Sequence, residues 1–148
     1  MAQDDLASFA KRIQRRGRQV ERGVSKVVQA AAITADRELV LNTPVDTGRA
    51  RSNWIATLGV PTADIIEPYA PGQLLGRGEG PNAEGALAQA RDAISRRKPG
   101  QSIYISNNVR YIGRLNDGSS AQAPAGFVQM AVKRAVEFIR SVRVFDDN

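Results

Sequence analysis

Residues 43–54 read TPVDTGRARSNW, and the fold turns on how they are understood. No proline interrupts residues 4–41 upstream. Pro44 then forbids a helix from continuing and pushes Thr43 toward extended backbone. Asp46 can accept hydrogen bonds from the amides that follow it, as in an Asx-turn, and Gly48 can take positive φ. Residues 52–60, SNWIATLGV, read as a strand with Trp54, Ile55 and Leu58 as its buried anchors. The stretch is therefore a helix stop, a turn and a strand start. It also contains Asp46-Thr47-Gly48, the tripeptide that carries the catalytic aspartate of aspartic proteases. Such an enzyme needs two of these aspartates sharing one proton. This chain has one, placed after a helix instead of an apolar strand and followed by the charged Arg49 and Arg51. The helix-rich remainder cannot build the protease barrel, so the structural reading is preferred.

Leu6, Phe9, Ile13, Gly17, Val20, Val24, Val27, Ala31 and Ala35 recur at steps of three and four. On a helical wheel they form one stripe. Lys11, Arg15, Arg18, Arg22 and Lys26 fall on the opposite face, with Arg12 beside them. Residues 11–26 hold seven bases and one acid, a surplus equal to the +6 of the whole chain. Asp4 and Asp5 suit a helix start, where the macrodipole favours anions. A helix over residues 1–41 would reach roughly 60 Å, too long for a compact domain to cover. The sequence predicts either a break near Gly17 or Gly23 or a partner subunit over part of it. The basic face has three readings: a solvated surface, a contact with DNA, or a contact with an acidic neighbour. The apolar stripe lacks the bulk of a membrane-surface helix.

Residues 61–81 are rich in Gly and Pro and read as a flexible loop or arm, with a short strand at 64–66. GRGEG at 76–80 lacks the Lys-Ser/Thr and the preceding buried strand of a phosphate-binding loop. Residues 82–98 read as a second helix with Leu87, Ala90 and Ile94 on its apolar side, Arg96, Arg97 and Lys98 at its end, and Pro99-Gly100 as the stop. Residues 101–108 read as a second strand with Ile103 and Ile105 on one face. Residues 111–126 read as a short helical or extended piece and a turn-rich loop. The last helix, 127–142, places Phe127, Met130, Ala131, Arg134, Phe138 and Ile139 near one side, with a frayed tail after it. The sum is an α+β domain over 1–148, without repeats: a long N-terminal helix and a C-terminal helix packed on a small, mostly antiparallel sheet, with a long Gly/Pro-rich loop.

Composition narrows the function. The chain of 148 residues has no Cys and no His, which removes disulfides, thiolate and His-dependent nucleophiles and nearly every zinc site. The acids are scattered, so no metal or other cofactor is expected. No run of about 18 apolar residues suggests a membrane span. The N-terminus lacks a signal peptide's apolar core, so the protein is expected to stay where it is made. The positive balance favours polyanionic partners.

Two blocks carry a family resemblance. The first is Thr43, Pro44, Val45, Asp46, Thr47, Gly48, Arg49, Arg51 and Trp54; the second is Asn108, Tyr111, Leu115, Asn116, Gly118, Ala123 and Pro124. With the preceding helix, they resemble the tail-component proteins of tailed bacteriophages of the HK97 gp10-like type, also described as tail completion or neck proteins. The resemblance spans most of the chain but not 61–81. It implies a non-enzymatic virion protein at the head–tail junction or the top of the tail tube. It also implies rings, commonly sixfold, whose neighbours are the head–tail connector, tail terminator or tail tube proteins. Localisation would be the virion, and the host cytoplasm during assembly. Non-specific contact with packaged DNA would fall to the basic face. The alternative is a free nucleic-acid-binding protein using that same face.

Overall fold

The computed structural model describes residues 5–44, 48–71, 79–119 and 125–142. It contains α1 (Leu6–Asn42), α2 (Arg49–Ser52), β1 (Ile55–Leu58), α3 (Glu79–Ser95), β2 (Ile103–Ser106), α4 (Ile112–Asn116) and α5 (Phe127–Ser141). The architecture is α+β, with β1 and β2 as an antiparallel pair in which Ala56 faces Ile105 and Leu58 faces Ile103.

α1 runs unbroken for 37 residues through Gly17 and Gly23. Asp5 caps it, its carboxylate accepting from the Ser8 amide at 2.7 Å. At the other end Thr43 is extended, as a residue before proline must be. The last carbonyls of α1 are held by buried Arg51, whose Nε and Nη2 donate to the Thr43 carbonyl at 3.2 and 2.8 Å and whose Nη2 also reaches that of Leu41 at 3.2 Å. A cation at a helix C-terminus meets both the free carbonyls and the dipole.

Two helices run back along α1. α5 starts in the cluster of Leu39, Val40, Trp54, Ala83, Ala86, Phe127 and Ala131 and continues beside Ala31 and Ala35. α3 starts in the same cluster and ends where Gln29 Nε2 donates to the Ile94 carbonyl at 3.1 Å and Arg97 reaches Ser25 at 3.4 Å. α5 takes the sequence-predicted stripe. α3 takes a second seam on the other side of α1, formed by Gln29, Ile33, Asp36 and Val40, which continues the line of the basic face. α3 packs closely because its inward residues are Ala83, Ala86 and Ala90 with Ile94. Gln89 covers the free edge of β1: its amide accepts from Ala56 N at 2.9 Å and donates to Ala56 O at 2.8 Å, as a third strand would.

Several boundaries differ from the sequence expectation. The first strand, expected over 52–60, is shorter at both ends: the helical turn α2 that follows Gly48 (φ 77°) takes in Ser52, and the strand stops before Gly59 (φ 81°). Ala56 is its buried residue, Trp54 is buried just before the strand, and Ile55 and Leu58 are half-buried. No strand forms at 64–66, because side chains take the backbone bonds a strand would use. α3 begins at Glu79, with Pro81 in its first turn where no amide is needed. It ends at Ser95, so Arg96, Arg97 and Lys98 lie beyond it, Pro99 disfavouring helix at Lys98. The second strand is confined to 103–106, and the 111–126 piece contains the short helix α4. On α5, Met130, Arg134 and Ile139 are exposed, because the helix packs through Phe127 and Ala131 with Ala135 and Phe138 half-buried.

Candidate functional site

The two motif blocks meet in the core. Trp54 is buried and its Nε1 donates to Thr43 Oγ1 at 2.8 Å, while that hydroxyl donates to the Leu39 carbonyl at 2.6 Å. Pro44 and Gly48 are buried beside them. A Cβ on Gly48 would collide with the Asn82 side-chain amide. Leu115 and Ile112 pack against the same cluster, and Tyr111 is half-buried next to them. Asn116 ties α4 to α5: its Oδ1 accepts from Val128 N at 2.9 Å and its carbonyl from Gly126 N at 2.6 Å. This supplies the cap that Gly126, the residue before α5, lacks. Gly118 (φ 93°) makes the turn into that contact. Arg49 is exposed. Asp46 and Thr47, with the expected Asx-turn, lie outside the described residues, as do Ala123 and Pro124. The described motif residues other than Arg49 therefore serve packing and connection.

A set of polar side chains that sequence reasoning passed over holds the 61–71 segment. Asn53 brackets Ile66, accepting from its amide at 2.7 Å and donating to its carbonyl at 2.9 Å. Asn108 donates to the carbonyls of Thr62 and Asp64 at 2.9 and 3.2 Å. Ser52 Oγ accepts from Tyr69 N, and Asn82 exchanges two bonds with Ala70 at 2.8 and 3.1 Å. Its signal in the sequence is Asn at element ends, where the short amide bonds backbone readily. The first half of the expected arm is thus tied down as an extended strap. Residues 72–78 lie outside the described residues.

Among the described residues, Asp36 is the buried acid whose carboxyl is perturbed. It is 1% exposed, and neither carboxylate oxygen accepts a hydrogen bond among the described residues. Burial pushes its carboxyl up to about 7, with the Arg91 guanidinium pulling the other way. Tyr69 is raised too, by burial and then by the charge of Asp36. One acid beside one tyrosine and one guanidinium offers no acid–base pair facing a cleft. An apolar cavity of about 320 Å³ lies between α1, the sheet and α5, lined by Ala31, Ala35, Trp54, Ile103 and Ala131 among others, all apolar. It has no converging polar groups to orient a substrate. No cluster of three or more metal-ligating side chains occurs among the described residues. No helix among them is long and apolar enough to cross a membrane.

The remaining feature is the first part of α1. Every residue in 6–19 is exposed, so about 20 Å of helix stands clear of the body. Lys11, Arg12, Arg15, Arg18, Arg22 and Lys26 are all on its surface. The apolar stripe is bare as well: Leu6 is 88% exposed, Phe9 54% and Ile13 58%. Arg12 lies over the Phe9 ring, 5.9 Å from its centroid. Compared with protein-family models, characterised proteins and solved structures, the chain matches none.

Proposed function

We propose that this protein is a structural component of a tailed bacteriophage virion. It would sit at the head–tail junction or the top of the tail tube and act in tail completion and head–tail joining. In this reading its copies form a ring, expected to be sixfold, around the DNA channel. The neighbouring connector, tail terminator or tail tube proteins are its partners, and no reaction is catalysed. The observation that carries it is the projecting amphipathic rod. An exposed apolar stripe backed by a basic face suits an assembly, where one side packs on protein and the other meets phosphate. The packing of both motif blocks around Trp54 supports the reading, since it leaves the resemblance a structural meaning.

The reading is tested in infected cells with Arg15, Arg18, Arg22 and Lys26 changed together to Gln. Joining of DNA-filled heads to tails should fall sharply, while wild-type chain should be found in purified particles. Particles that lack the chain refute the assignment. A second reading, a free nucleic-acid-binding protein, draws on the same six exposed bases. It predicts that the isolated monomer shifts duplex DNA with a steep salt dependence, and that the fourfold Gln variant flattens the slope. Against it, Phe9, the single aromatic on the rod, lies on the apolar stripe beneath Arg12, away from the face where bases would stack.

A further inference from the structure

The rod has a complementary surface on its own chain. The strap at 60–71 contains Asp64 and Glu67 and no Lys or Arg. Both acids are exposed, as is Glu84 on the neighbouring α3. The same segment exposes Val60, Ile65 and Tyr69, by 69%, 46% and 44%. Ordinarily a segment without helix or strand would lose its order or turn such residues inward. Here Asn53, Asn108, Ser52 and Asn82 hold its backbone, and the Tyr69 ring packs where any Cβ on Gly85 would sit. Pro61, Pro68 and Pro71 restrict it further. The result is an acidic and apolar surface fixed before any partner arrives, which lowers the ordering cost of binding.

The rod presents the opposite pattern: Leu6, Phe9 and Ile13 in a bare line, bordered by Arg12 and Arg16. We infer that the rod of one copy docks on the 60–71 strap of the next, its apolar stripe against Val60, Ile65 and Tyr69 and its bordering arginines toward Asp64 and Glu67. The rod cannot reach its own strap. It leaves the body near Ser25, whereas Asn53 and Asn82 hold the strap near Thr43, roughly 30 Å away along α1. Donor and acceptor are different surfaces at opposite ends of one body, so the contact is head-to-tail and propagates from copy to copy until it closes. Charge decides against another bare apolar surface, that of α5. On α5, Met130, Val132, Val136 and Ile139 are exposed, but the helix carries Lys133, Arg134 and Arg140 against one acid, Glu137. Rod-to-rod pairing likewise brings two basic helices together. The inference deepens the ring reading above and rests on it for closure. The face bearing Arg15, Arg18 and Arg22 stays free for polyanions.

The test is the mass of the purified full-length chain in solution, by light scattering or sedimentation. Wild type should form defined multimers that dissociate as salt rises. Leu6→Ser with Phe9→Ser should give monomer, and so should Asp64→Lys with Glu67→Lys. All four positions are exposed, so the circular dichroism spectrum and melting of the body should not change. Arg12→Glu with Arg16→Glu should also be monomeric alone, and multimers should return when it is mixed with the Asp64→Lys, Glu67→Lys chain. A wild type that remains monomeric at its highest soluble concentration overturns the inference. So do multimers that survive the strap reversal but not the rod substitutions, since these would be rod-to-rod pairs. A chain that assembles as described yet is missing from virions leaves the contact standing and removes the phage reading.

Discussion

At Asp36 the surroundings set the charge of the carboxyl. With the folded pKa about 7, against 3.8 when unperturbed, the buried acid holds a proton that the unfolded chain has released. The contribution of this group to stability is therefore complete below about pH 4, declines as pH rises, and is lost by about pH 7. Three units correspond to on the order of 4 kcal/mol. Asp36→Asn keeps the shape and removes the titration. The difference in unfolding free energy between variant and wild type should grow in favour of the variant from pH 4 to pH 7 and then level off. Urea titrations at several pH values measure this, and a difference independent of pH would show that the carboxyl is not buried as described. Gly48 makes a second argument at this scale. Ala there combines left-handed backbone with a collision against Asn82, whereas Gly59, at φ 81°, has nothing near its missing Cβ. Gly48→Ala should cost about 2–3 kcal/mol and Gly59→Ala only the backbone part, about 1 kcal/mol. Equal losses in denaturant midpoints would contradict the proposed role of Asn82.

α5 shows how far a local sequence reading extends. Its span was legible to within one residue, because periodic apolar positions follow a glycine turn. Its contacts were not, because Met130 and Ile139 flank Phe127 and Ala131 on either side of the wheel, and only the position of α1 decides how far the covered face extends. The start of α5 depends on Asn116, eleven residues before Phe127, which no helix signal in the sequence indicates. Asn116→Ala should lower stability by about 1 kcal/mol, the usual cost of a lost cap, with amide exchange accelerated first at Val128. If exchange quickens evenly across the molecule, the cap is not local. The same limit applied at 49–53. Trp54 was legible as an anchor, but the turn α2 was hidden, since Arg51, Ser52 and Asn53 each serve a partner distant in sequence: the end of α1, Asn82 and Ile66. The strap was read from its prolines and glycines as loose. What fixes 61–71 is a set of side chains from three other segments, which composition does not reveal. The seam with α3 was missed because it runs through Asp36, a residue that hydropathy assigns to the surface.

The whole molecule divides unevenly. From Ser25 onward α1 is shared by α3, α5 and the sheet, and burial of Trp54 and Phe127 alone supplies roughly 1.5–3 kcal/mol each. Residues 6–19 contribute almost nothing to that core, and their helix stays formed by continuing a segment already nucleated inside the body. The basic surplus of the chain lies almost wholly in and beside this projecting part, so the body is close to neutral. If the proposed rod-to-strap contact forms, stability and assembly fall to different stretches of one helix. A chain lacking residues 2–19 should therefore melt within a few degrees of the full-length protein when both are dilute. The full-length protein should then show a melting temperature that climbs with protein concentration, because binding to the folded state adds stability by mass action. The shortened chain should show none of that dependence. Matched thermal scans across a hundredfold range of concentration measure both. A shortened chain that unfolds outright would mean that the rod packs on the body, and a full-length protein with a constant melting temperature would mean that its copies do not bind one another through the rod.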